Sequence, residues 1–170
     1  MKKIISLLVI AAFTTSIAVA QKFAFVDSEY ILKNIPSYEA AQDEIDNASQ
    51  EWEEEVKAEY AKIEEMYKTY KAERVLLSED MRQKREEEIL EKEKQVKALQ
   101  QSYFGPEGAL FEKRQELVQP IQDAIFKAVK ELTAEGGYAI IFDTSSGASI
   151  LYSNPKFDKS DEILERMGYN

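Results

Sequence analysis

The sequence predicts an α+β chain in which a long antiparallel α-helical hairpin, a coiled-coil-like arm, projects from a small β-rich body formed by strands at both ends. Three observations lead there. Neither Gly nor Pro occurs between Pro36 and Gly105, and that interval is dense in Glu, Lys, Gln and Ala, the strong helix formers. Within it, apolar residues recur at three- and four-residue spacing in two separate stretches. Outside it stand short aromatic and β-branched runs of the kind that form buried strands.

The chain opens on a leader. Lys2 and Lys3 precede an apolar stretch from Ile4 to Ala12, and Ala18-Val19-Ala20 makes a small-residue cleavage box before Gln21. Thr14, Thr15 and Ser16 interrupt the apolar run, which falls short of the roughly 20 residues a membrane span needs. The expectation is an export signal at 1–20, cleaved after Ala20, with a bacterial periplasmic product and no stable membrane insertion. Removing Lys2 and Lys3 takes the formal charge from -10 to -12.

Phe23-Ala24-Phe25-Val26 reads as the first strand, ending at Asp27. In the long interval, Ile45, Ala48, Trp52, Val56, Tyr60, Ile63, Tyr67 and Tyr70 fall on one helical stripe. Met81, Ile89, Val96, Leu99 and Tyr103 form a second, with Arg85 and Lys92 at intermediate seam positions. Ser78 followed by Glu79 and Asp80 is a helix start. Two helices therefore turn back at a tip near 75–81, bringing Ile63 close to Lys94 and Trp52 close to Gly105. Gly105-Pro106-Glu107-Gly108 breaks the returning helix. Its pattern resumes at Ala109 and continues through Leu110, Leu117, Ile121, Ile125, Ala128 and Leu132, with a kink expected at Pro120. Gly136-Gly137 ends it. Tyr138-Ala139-Ile140-Ile141-Phe142 is the second strand and ends at Asp143, a turn surrounds Gly147, and Ile150-Leu151-Tyr152 is a third strand. Ser160 or Asp158 caps a short closing helix. Residues 21–36 and 133–170 thus make the body, and 37–132 the arm.

Three short strands and a two-helix seam bury too little for a stable solitary chain. Exposed edges carrying Phe23, Phe25, Ile140, Phe142, Ile150 and Tyr152 are where further copies pair, so a homo-oligomer is expected.

Composition narrows the chemistry. With no His and no Cys there is no imidazole base, thiol nucleophile, Cys/His zinc site or disulfide framework. The acidic balance argues against nucleic acid, which needs clustered Lys and Arg. Asp27 and Asp143 could meet as an acid/base pair, but a cap or turn role accounts for them better. Glu53-Glu54-Glu55 and Glu86-Glu87-Glu88 read as solvated helix faces, not calcium sites. No P-loop is present. No cofactor, metal or enzymatic activity is expected.

The order of these features carries a resemblance. A first strand Lys22 to Asp27 running into Ile31-Leu32, a charged hairpin, the strand Tyr138 to Asp143, and Tyr152-Ser153-Asn154-Pro155 before Asp158-Lys159-Ser160-Asp161 resemble the Skp (OmpH-like) family of periplasmic chaperones. The resemblance covers the whole chain after the leader. It implies a homotrimer with a central strand body and three arms around a cavity, holding unfolded outer-membrane proteins without ATP. The acidic charge departs from the basic members of that family, so a lipopolysaccharide site is not carried over.

For such a role Trp52, Tyr60, Tyr67, Tyr70 and Tyr103 offer amphipathic rings that could contact apolar clients, or else form the seam between the helices. Leu76, Leu77 and Met81 at the tip are either a cluster closing the hairpin or a client contact. The alternative from another class is a structural coiled-coil spacer or adaptor of the envelope.

Overall fold

The computed structural model describes residues 21–145, 147 and 150–169; the leader and its cleavage site lie outside the described residues. Strand β1 (Lys22–Val26) pairs in parallel with β2 (Tyr138–Asp143), setting Phe23 opposite Ile140 and Phe25 opposite Phe142. Parallel strands need a crossover, and here the crossover is the entire arm. Because side chains alternate along a strand, Ala24 and Val26 turn inward and are buried. Phe23, Phe25, Ile140 and Phe142 share the opposite face.

Helix α1 (Ser28–Lys33) follows at once. The sequence pattern predicts a strand ending at Asp27 and no helix after it; the local signal for the helix is an Asp cap followed by Glu29 in the first turn. The Asp27 carboxylate accepts the Tyr30 N–H at 2.9 Å. Asp143 accepts the Ser28 N–H at 3.1 Å and the Ser28 hydroxyl at 2.7 Å. Both strand-ending carboxylates therefore hold the start of α1, and Asp143 ties β2 to it. Burial acts to raise the Asp143 carboxyl, but hydrogen bonds from Ser28 and Ser145 outweigh it and hold the group below its ordinary 3.8. A depressed carboxyl stabilises the fold above its unfolded value, and that contribution disappears as pH falls through the folded one. Acid titration followed by circular dichroism should show the wild type losing stability below pH 3.8, and Asp143→Asn should flatten that loss.

Helix α2 (Pro36–Glu73) starts with Pro at its first position, where the missing N–H costs nothing. Helix α3 (Glu79–Phe104) starts at Ser78, whose side chain accepts the Met81 N–H at 3.4 Å. Helix α4 (Ala109–Gly136) runs as one helix through Pro120 and stops at Gly137, left-handed at φ 64°. A short 3-10 turn (Pro155–Phe157) leads into α5 (Ser160–Arg166).

Two apolar clusters result. In the body, Val26, Ile31, Ile35, Ile125, Ala128, Leu132, Ile163 and Leu164 join α1, α4, α5 and the inner sheet face. Buried Ser160 links this core to the sheet. Its hydroxyl accepts the Asp27 N–H at 2.8 Å and donates to Asp158 at 2.6 Å. In the arm, Val56, Ile63, Ile89 and Val96 form the seam between α2 and α3. The basal half of α2 packs instead on α4, where Lys113 pairs with Glu44 at 2.7 Å.

The third strand expected at Ile150-Leu151-Tyr152 is absent, and this corrects the sequence reading. These residues belong to no sheet. The chain instead reaches β1 later, through a single bridge from Asp158 to Phe25. Their β-forming composition is real, but no strand of the sheet pairs with them within the protomer.

The break at Gly105 to Gly108 is compact. A Cβ on Gly108 would lie 2.7 Å from the Tyr103 carbonyl oxygen and 2.9 Å from the Gly105 nitrogen, and one on Gly105 would lie 2.3 Å from the Gln101 carbonyl oxygen. All of these are backbone atoms, which cannot swing aside. Gly108→Ala should therefore destabilise by about 1–3 kcal/mol, read as a lowered urea midpoint with the oligomeric mass unchanged.

Candidate functional site

The tyrosines bridge the arm. Tyr60 donates to Gln100 at 3.2 Å, Tyr67 to Glu93 at 2.9 Å and Tyr103 to Glu55 at 2.7 Å, while Tyr70 donates to Glu86. Every one of these bonds crosses between α2 and α3. Trp52 stacks on Tyr103 with ring centres 5.1 Å apart, two residues from the Gly105 level where the spacing placed it. The hydroxyls are thus committed to the seam. The rings are only partly so, since Tyr60 and Tyr67 remain exposed and Trp52, Tyr70 and Tyr103 are half-buried.

Charge follows the same pattern. Hydrogen bonds to Glu93, Glu86 and Glu55 raise the phenols of Tyr67, Tyr70 and Tyr103 above their ordinary 10.0, so the hydroxyls stay protonated as donors. Lys92 reaches across to Glu59 at 2.5 Å, and Lys62 joins it from the same helix. These two cations hold the Glu59 carboxyl low. Arg85, the other seam cation, pairs along its own helix with Glu88 at 3.0 Å.

The tip is different. Val75 and Leu76 are 86% and 88% exposed, Met81 is exposed, and only Leu77 is half-buried. No closing cluster of side chains is present there. The turn is held by the backbone and Arg82: the Leu76 N–H donates to the Glu73 carbonyl at 2.8 Å, and Arg82 Nε to the Arg74 carbonyl at 3.0 Å. Just below the tip a cleft of about 310 Å³ has Met66, Tyr70 and Ile89 on its floor. Of the tip residues expected from the sequence, Leu76 and Met81 are exposed and Leu77 is half-buried, while Val75, which the pattern does not single out, is the second most exposed.

In the body, the outer sheet face is uncovered. Phe23 is 50% and Ile140 52% exposed, and Phe142 lies stacked on Phe25 with ring centres 5.7 Å apart. Phe157 closes one side, 5.7 Å from Phe23. Ile150 is half-buried and Tyr152 exposed, and neither joins the sheet. Among the described residues no cluster of acidic side chains is placed to hold a metal ion, and no helix is long and apolar enough to cross a membrane.

These features define a class: a helical-hairpin arm inserted between two strands of a small body, with apolar surface open at the arm tip and across the sheet. The chain belongs to the outer membrane protein (OmpH-like) family, whose model matches residues 22–167. A crystal structure from Caulobacter crescentus, of a protein put forward as an OmpH-like outer membrane chaperone, is similar to it with a TM-score of 0.67. The two share 11% sequence identity over 88% of this chain and 85% of that one, a likeness of fold. No curated protein matches the sequence.

Proposed function

We propose that this chain is an ATP-independent periplasmic holdase that receives unfolded outer-membrane proteins between the arms of a homotrimer and keeps them from aggregating. Membership of the OmpH-like family supports a chaperone role and a periplasmic site. The single observation that carries the finer reading is the arm tip, where Val75 and Leu76 stand in solvent as the most exposed large apolar side chains of the limb. Full burial of such a side chain is worth about 1.5–3 kcal/mol, so each contact alone is weak and reversible. Several arms around one client act through effective concentration, and holding the unfolded chain withdraws it from aggregation by mass action. The half-open rings of Tyr60 and Tyr67 add amphipathic contacts along the limb.

Assembly follows from the sheet. An apolar face carrying Phe23, Phe25, Ile140 and Phe142 needs a cover, and sibling copies provide it. The direct test of client binding is Val75→Ser with Leu76→Ser. Light scattering of a urea-unfolded porin, diluted into buffer, should show protection reduced several-fold, with mass and helicity unchanged. Undiminished protection would remove the tip from the mechanism.

The cross-arm hydrogen bonds favour a second reading, because hydroxyls spent on zipping the arm suit a rigid envelope spacer. That reading gains if equimolar wild-type protein leaves the aggregation of the porin unchanged.

A further inference from the structure

The strand that opens the body begins one residue past the expected cleavage box. Ala18-Val19-Ala20 precedes Gln21, and β1 starts at Lys22. Leader removal after Ala20 makes Gln21 the first residue of the mature chain, with a new α-amine beside its own side-chain carboxamide. That pairing has a chemistry of its own. The amine nitrogen reaches the δ-carbon of the same residue through a five-membered ring, and two reacting groups held on one residue meet at a high effective concentration.

The fold leaves Gln21 at liberty to close. It is exposed, and its carboxamide makes no hydrogen bond to any described residue. The sheet contacts begin beyond it: Lys22 stands opposite Tyr138, and its Nζ donates to the Gly136 carbonyl at 3.2 Å. Ring closure at residue 21 therefore costs no pairing in the ladder.

The surroundings favour closure as well. Gln21 lines a pocket of about 390 Å³ together with Phe23, Phe157 and three lysines, Lys22, Lys156 and Lys159. Of these lysines only Lys159 has a carboxylate partner among the described residues, Glu162 at 3.0 Å. A chain-terminal amine titrates near roughly pH 8 without such neighbours, and nearby cations disfavour its charged form. The neutral amine is the nucleophile. The closed ring is compact and uncharged, which suits a pocket walled by two phenyl rings better than an ammonium does.

We propose that the mature chain starts with a pyroglutamyl residue formed from Gln21. The α-amine nitrogen bonds to the δ-carbon, the bond from that carbon to the carboxamide nitrogen breaks, and the departing nitrogen takes one amine proton to leave as ammonia. No oxidant, reductant or co-reactant enters. The chain loses one positive charge at the start of β1 and presents no free amine to aminopeptidases. This rests on the periplasmic reading above, because only leader removal after Ala20 creates the amine.

The test is intact-mass spectrometry of the full-length gene product after export by a bacterial host. The purified chain should be lighter by one ammonia than residues 21–170 with an open N-terminus, and Edman degradation should be blocked until pyroglutamyl aminopeptidase exposes Lys22. Gln21→Ala should have the mass of an open chain and read alanine in the first cycle. A free amine on Gln21 overturns the modification and leaves the leader reading standing. Ammonia loss that persists in Gln21→Ala places it on another residue and overturns the proposal equally. A chain that keeps residues 1–20, or starts at a different residue, overturns the cleavage on which the proposal rests.

Discussion

Replacing Phe142 with Asp should dissociate the oligomer while leaving the arm helical. Phe142 sits opposite Phe25 in the sheet register and stacks on it at 5.7 Å, in the middle of the uncovered face. In an isolated chain this position is 41% exposed, so a carboxylate there keeps its water. Between copies the same carboxylate would be buried without a partner, which costs several kcal/mol. The dissociation constant should rise at least about a hundredfold, near 3 kcal/mol, as measured by sedimentation equilibrium. Unchanged association would show that this face is not where the copies meet.

Leu132→Ala should be the most damaging single truncation inside the body. Leu132 is 2% exposed and lies in the cluster that joins α4 to α1 and α5. Removing a buried side chain of this size costs about 2–5 kcal/mol, the lost transfer energy plus the residual cavity. Small domains hold only about 5–15 kcal/mol in total, and this body is small. The arm seam of Val56, Ile63, Ile89 and Val96 is a separate cluster. Urea unfolding followed by hydrogen exchange should therefore show amides of α1 and α5 losing protection while those around Ile63 and Val96 keep theirs. Uniform loss over both regions would mean that the arm and body unfold as one unit.

How much of this was legible in the sequence depends on what each signal records. Three-four spacing records burial on one helix face, and so Ile45, Val56, Ile63, Ile89, Val96 and Leu132, picked by spacing, are buried. Ser78 and Gly137 were legible because caps are local chemistry. Spacing does not record which atom of the facing helix a hydroxyl will find, so the bonds from Tyr67 to Glu93 and from Tyr103 to Glu55 were not legible. Nor does it distinguish an apolar tip that folds onto itself from one left open, as at Val75 and Leu76. Helix α1 escaped because six residues show barely one turn of pattern. The expected strand at Ile150-Leu151-Tyr152 is absent for a different reason: composition gives strand preference, but pairing is a tertiary event that composition does not record, and neither strand of the sheet pairs with this segment. Phe126, 70% exposed, escapes the pattern because it falls between Ile125 and Ala128, off their shared buried stripe.

A single chain with an open apolar sheet face is not expected to be sufficient by itself. A light-scattering mass of the mature protein at micromolar concentration, taken as it elutes from a sizing column, addresses this most directly. Three chains per particle is the expected result; a stable, folded particle of one chain would contradict it.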